Sequence, residues 1–320
     1  MRALFLMCCL SGLAGCSGIL PSTPYSTTPE RSCAPLHPTR FQPQMQEPGG
    51  DGQPELSLSA QSLEVARVMD VLPLLTRRTA LERAGETHSM AFLELEQALT
   101  NRLLLTLFEV SSVTAELVCE RDRADQVADR MDEIDASLVK RLTLASIVIG
   151  GVAAVVSGGL GLAGAASDAS DAAALAGGVV SAVFGGTALF AGSKQHFSHE
   201  RNLLGELWEN PEQSRAFSPA IWRFLQGHRT NEARNTREEI MQAWRQQGRL
   251  GEPGSAGEQE RIALIFGPGG TYTSTDLRAR ASMLETFEAH IQLLSEELEA
   301  FLREIIQRRI QEKPQEKPPS

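Results

Sequence analysis

The sequence predicts an all-α fold: an elongated helical bundle of long, heptad-patterned helices with a central apolar, Gly/Ala-rich helical hairpin. Three observations predict it. Residues 142–166 and 172–192 are two apolar stretches without a single charge, separated only by the Ser-Asp-Ala-Ser-Asp of 167–171. At about 1.5 Å of rise per residue each makes a helix of roughly 30 Å, the thickness of a bilayer core. Residues 86–149 contain neither Gly nor Pro, and a second heptad run closes the chain.

Taken in order, residues 60–84 read as a helix that Pro73 kinks or splits. In the long run 86–149, Leu103, Val110, Leu117, Ala124, Met131 and Leu138 fall seven apart. A companion row holds Leu99, Thr106, Val113, Glu120, Val127 and Ile134, with Thr106 and Glu120 as polar interruptions. Charged residues crowd the surface between, as on a solvated helix face. The closing helix, about 275–312, repeats Leu277, Leu284, Ile291, Leu298 and Ile305, with Phe287, Leu294 and Phe301 three places after the middle three. Two such rows want each other, antiparallel where loops are short. Between 194 and 266 the pattern is broken by Pro211, Pro219 and Pro253, and short helices are predicted near 194–208, 220–225 and 234–247. No alternating strand pattern of useful length is present. The organisation is therefore 1–15 signal peptide, 16–58 disordered tether, 59–141 N-terminal long helices, 142–192 hairpin, 193–312 C-terminal helical region and 313–320 disordered tail.

In the hairpin, small residues recur every fourth place: Gly150, Ala154 and Gly158 in the first leg, Ala174, Gly178, Ala182 and Gly186 in the second. Such rows let two helix backbones approach closely, which drives association in lipid. In water each glycine costs about 1 kcal/mol of helix stability against alanine. Two fates stay open, contact with a membrane or enclosure at the centre of a soluble bundle. Lys140 and Arg141 precede the first leg and Lys194 follows the second, while Asp168 and Asp171 sit in the connection. The positive-inside rule would place those basic flanks in the cytoplasm.

The N-terminus gives an address. Arg2 is a minimal basic region, 3–13 is a short apolar one, and Leu13-Ala14-Gly15-Cys16 follows. Here the chain resembles a bacterial lipoprotein precursor, with that quartet as its lipobox. The resemblance implies cleavage before Cys16, diacylation of its sulfur, acylation of the new amino terminus, and so a lipid-anchored protein of the bacterial cell envelope. By the family's sorting rule Ser17, rather than Asp, implies the outer membrane over the inner. An envelope address conflicts with the cytoplasmic placement of the basic flanks, which disfavours routine insertion during export. In layout alone, long heptad helix, hairpin, long heptad helix, the chain also resembles α-helical pore-forming toxins, which implies a hairpin that moves out to insert. With Cys8 and Cys9 in the signal and Cys16 acylated, Cys33 and Cys119 remain; an oxidising envelope invites a disulfide between them, against two separate thiols.

Chemistry is sparse. The formal net charge of −10 argues against nucleic acid. His196 and His199 would share a face if residues 194–208 were helical, with Glu200 beside them, but no further metal ligand stands at a fixed spacing, and no metal or cofactor is expected. Gly267-Pro268-Gly269-Gly270 lacks the lysine of a phosphate loop and reads as a tight turn, with Ser274, Thr275 or Asp276 capping the last helix. Trp208, Phe217, Trp222 and Phe224 read as core aromatics, membrane-interface contact being the minor alternative. No Ser/His/Asp set or carboxylate pair stands out. The expectation is a non-enzymatic envelope lipoprotein, structural or interaction in class, with membrane lipid as partner through Cys16 and the hairpin, and self-association or partner helices through its heptad faces. The alternative is a hairpin-inserting, pore-forming-like protein.

Overall fold

The computed structural model describes Cys33 and residues 56–162, 192–199, 201–228 and 233–312, all within one compact unit, Cys33–Ser320. The fold is all-α. Eight described helices run in the order α1 (Ala60–Met69), α2 (Leu72–Arg83), α3 (Met90–Leu162), α4 (Leu203–Glu209), α5 (Pro219–Gln226), α6 (Thr236–Gln246), α7 (Ala256–Phe266) and α8 (Ser274–Glu312). Two short strands, β1 (Gln195–Ser198) and β2 (Gly269–Tyr272), flank α4–α7 in sequence.

The first helical region does split, but at Asp70, three residues before Pro73. Asp70 takes the left-handed conformation at φ 59° and closes α1, while Pro73 sits harmlessly in the first turn of α2. Ser59 caps α1 with its hydroxyl, and Glu304 of α8 accepts from the Ser59 N–H at 2.9 Å and from its hydroxyl at 2.7 Å. At the other end of α1, Arg223 Nε donates to Val68 O at 2.9 Å and Arg102 Nε to Met69 O at 2.6 Å, satisfying carbonyls the helix leaves open.

Helix α3 is 73 residues long, about 110 Å of continuous helix. Its heptad rows are the core. Leu103, Val110, Leu117, Ala124 and Met131 are buried, as are Leu99, Thr106, Val113 and Glu120, and the whole α8 row from Leu277 to Ile305 is buried with Phe287, Leu294 and Phe301. The ion pairs fix the direction: Arg309 meets Glu96, Arg121 meets Glu288 at 2.6 Å, and Arg278 meets Asp129 at 2.8 Å. Positions rise on α3 as they fall on α8, so the two are antiparallel. Helix α8 begins at the level of Asp132, and α3 continues about thirty residues past it.

The region after the apolar midsection differs from the sequence expectation. Residues 195–198 are a strand rather than the start of a helix, paired antiparallel with β2 in the register Gln195↔Tyr272, His196↔Thr271, Phe197↔Gly270 and Ser198↔Gly269. Four-residue strands without a β-branched run carry little periodic signal, and the helix begins only at Leu203. Gly269 is required there, since its φ is +103° and a Cβ would come within 2.3 Å of Phe197 O. Helix α7, capped by Ser255, was not foreseen; its interior glycine and short apolar run obscure the pattern. Gly267 ends α7 and Gly269-Gly270 open β2, so the glycine run is strand and cap rather than a free turn. The cap of α8 forms one residue earlier than expected: Thr273 Oγ1 accepts from Asp276 N at 3.2 Å, and Asp276 Oδ2 accepts from Thr273 N at 3.3 Å. The aromatics lie in the core, Phe217 against Phe287 at 5.6 Å, Trp208 stacked on Phe266 at 4.3 Å, and Trp222 and Phe224 buried.

Candidate membrane-facing end and the strap at its base

Past Asp132 the side chains of α3 lie beyond the start of α8. Leu144, Ile147, Val148, Val152 and Val155 are 54–76% exposed. Gly150 is half-buried and Ala154 exposed, Gly158 lies on α3, and Gly178, Ala182, Gly186 and the rest of the second leg up to residue 191 fall outside the described residues, as do Leu13-Ala14-Gly15-Cys16 and the tail after 312. Among the described residues no helix is long and apolar enough to cross a membrane.

The chain returns to the bundle at a definite point. Asp135 on α3 accepts the Ser193 N–H on both carboxylate oxygens at 2.9 Å and also takes the Ser193 hydroxyl. From there a strap runs back along α3. Arg123 Nη2 donates to Ser198 O at 2.8 Å while its guanidinium lies 4.3 Å from the Phe197 ring centre, and Arg201 pairs with Glu116 at 3.4 Å. Cys119, one turn from both Glu116 and Arg123, is disulfide-bonded to Cys33, with Cα atoms 5.7 Å apart. The residues before and after the apolar midsection are thus tied to one short stretch of α3.

Beneath the strap lies a buried polar cluster. Arg280 on α8, wholly buried, donates through Nη1 to Ile265 O at 3.0 Å and Asn202 Oδ1 at 3.2 Å, with Nη2 3.8 Å from Glu120. Tyr272 OH donates to Leu264 O at 2.7 Å, so the 2.8 Å contact between that hydroxyl and His199 Nε2 has the histidine as donor. His199 Nδ1 is then the bare acceptor, and it is buried without a partner. Burial, with Arg280 and Arg123 nearby, pushes His199 down to about 3. Burial likewise lowers Arg280 to about 10 and raises Tyr272 to about 12. Glu116 is the exception: burial outweighs the Arg201 charge and lifts it to about 7. Around neutrality His199 is therefore neutral, Arg280 charged and Tyr272 protonated, an arrangement suited to fastening α3, α8 and the sheet together.

His196 and His199 do not share a helix face. His196 is exposed on β1 and His199 is buried just beyond it, while Glu200 is outside the described residues. Among the described residues no group of three or more His, Cys, Asp or Glu is placed to hold a metal ion. Sequence reasoning missed Asp135, Arg123, Glu116, Arg201 and Arg280. The available signal was Glu120 interrupting a core row, with Arg280 three residues after Leu277 inside another: charges at core positions must find partners there. No family model, curated protein or solved structure matches the chain.

Proposed function

We propose that this chain is a non-enzymatic cell-envelope lipoprotein, held to a bilayer by acylated Cys16, whose helical bundle presents its apolar midsection to membrane lipid. The observation that carries the reading is the end of α3, where the five large apolar side chains Leu144, Ile147, Val148, Val152 and Val155 stand more than half exposed beyond the start of α8. Moving each from water into an apolar phase gains about 1.5–3 kcal/mol when burial is complete, so such a row is a standing driving force for contact. The signal-like start with its Leu13-Ala14-Gly15-Cys16 quartet supplies the anchor.

Two measurements test the halves separately. Metabolic labelling with palmitate should mark the wild type and not Cys16→Ser. Alkaline carbonate extraction of Cys16→Ser should leave it in the membrane pellet, and complete release as a soluble monomer would remove the midsection from the proposal. Dye leakage from liposomes would replace it with the pore-forming alternative.

A further inference from the structure

Lys140 and Arg141 are adjacent on α3 and Lys194 lies far from them in sequence, yet the fold returns Lys194 to nearly the same level of α3. The two Asp135–Ser193 bonds hold the residue before Lys194 against α3, and Lys140 and Arg141 follow five and six residues after Asp135, about 8–9 Å along the axis. All three cations are exposed. On the bundle side of this level α3 carries Asp129, Asp132, Glu133 and Asp135, with Asp129 and Asp132 paired to Arg278. On the far side α3 has no charge through Leu162. Lys140 and Arg141 share a face with the exposed apolar row: Leu144 is four residues from Lys140, Ile147 seven, and Val148 seven from Arg141, whereas Lys194, beside Asp135, stands on the other side of α3, so that the three surround its neck.

We infer that Lys140, Arg141 and Lys194 form a basic collar that docks the apolar end of α3 onto anionic phospholipid headgroups. The inference rests on the membrane-contacting reading above and names the lipid chemistry it selects. Lysine and arginine lay their methylene stems along apolar surface and send the charge outward, so a ring of them at the neck of an apolar end sits where phosphates lie while the end enters the acyl region. The acids behind the collar oppose deeper entry into an anionic surface and set the depth. Only one leaflet need be entered. Each basic residue near such a surface is worth about fivefold in binding, so the three together are worth about a hundredfold.

The test uses the full chain carrying Cys16→Ser, which removes the lipid anchor, and vesicle flotation on phosphatidylcholine alone or mixed with phosphatidylglycerol. The mixed vesicles should bind about a hundredfold more tightly, and salt near 1 M should erase most of the difference. The combined Lys140→Gln, Arg141→Gln and Lys194→Gln variant should bind both vesicles alike, at the level of the neutral ones, with its circular dichroism unchanged because all three side chains are exposed. If that variant keeps the preference for phosphatidylglycerol, the collar is overturned and the membrane reading stands. A Val148→Asp and Val152→Asp variant should bind neither vesicle; if it binds as the parent does, lipid is not reaching the end of α3 and both ideas fall. A parent that binds neither vesicle but sediments as a dimer overturns both in favour of a second copy on that face.

Discussion

Helix α3 is one continuous element with two unlike halves. From Leu99 to Met131 most of its apolar residues come in heptad rows, charges fill the intervals, and the rows are buried, with Leu104 and Phe108 exposed outside them. From Leu144 to Val155 nearly every residue is small or apolar, no charge intervenes, and the large side chains other than half-buried Ile149 are exposed. The richer apolar half is the more exposed one. Apolarity supplies a drive to leave water, but burial also needs a surface of matching shape, and among the described residues α8 provides one only as far as Asp132. The charges between the rows of the first half make its buried face unique; the second half has no polar face to choose against.

That contrast can be broken by mutation. Phe287→Ala, which empties the place opposite Phe217 in the bundle, should cost about 3–5 kcal/mol in urea unfolding. Val152→Ala on the exposed half should stay within about 0.5 kcal/mol in the same assay. Equal losses would show that the exposed half is packed as tightly as the bundle.

Next in size is the disulfide. Replacing Cys33 and Cys119 by Ser should cost about 3 kcal/mol, because the bond closes a long loop against one point of α3. Non-reducing peptide mapping checks the link and thermal unfolding the cost. The effect belongs to the bundle half and should leave vesicle binding by the other half unchanged.

Glu116 sharpens the same comparison through pH. Its folded value is about 7 against an ordinary 4.5, so the native state binds this proton more tightly than the unfolded chain. The stability it contributes is fully present below about 4.5 and is lost as pH rises through about 7, a swing of up to about 3 kcal/mol. Glu116→Gln should flatten the stability profile across that window, and an unchanged slope would assign the titration elsewhere. Burial raises Glu109 in the same sense, so the double variant should be flatter still.

The smallest effect is at the neck. Asp135→Ala removes the acceptor for Ser193 and should cost about 2 kcal/mol at most. Hydrogen exchange at Ser193 should accelerate far more than global stability falls; uniform acceleration would mean that the neck opens only with the whole bundle.

Much of the bundle was legible in residues alone. The α8 row from Leu277 to Ile305 and the α3 rows through Met131 could be read because a helix repeats its faces at a fixed period, so spacing encodes burial directly. The polar cluster was legible only as a fault, Glu120 in a core row, because Arg280 and, at neighbouring Glu116, Arg201 arrive from α8 and from the segment after β1, whose meeting with α3 no local period records. The split at Asp70 escaped for a related reason. Pro73 marks a place where a helix can begin, whereas the left-handed turn that ended α1 is secured by Arg102 and Arg223 from distant helices.

By itself, then, the order of residues determined the long helices, their buried faces and an uncharged midsection, all properties of neighbours a few positions apart. Tertiary structure alone decided the strand pair β1–β2, the closing of Cys33 on Cys119, the return of Ser193 to Asp135, and where α8 stops covering α3. Those depend on contacts between residues tens to hundreds of positions apart, whose free energy exists only once the chain has closed the loops between them.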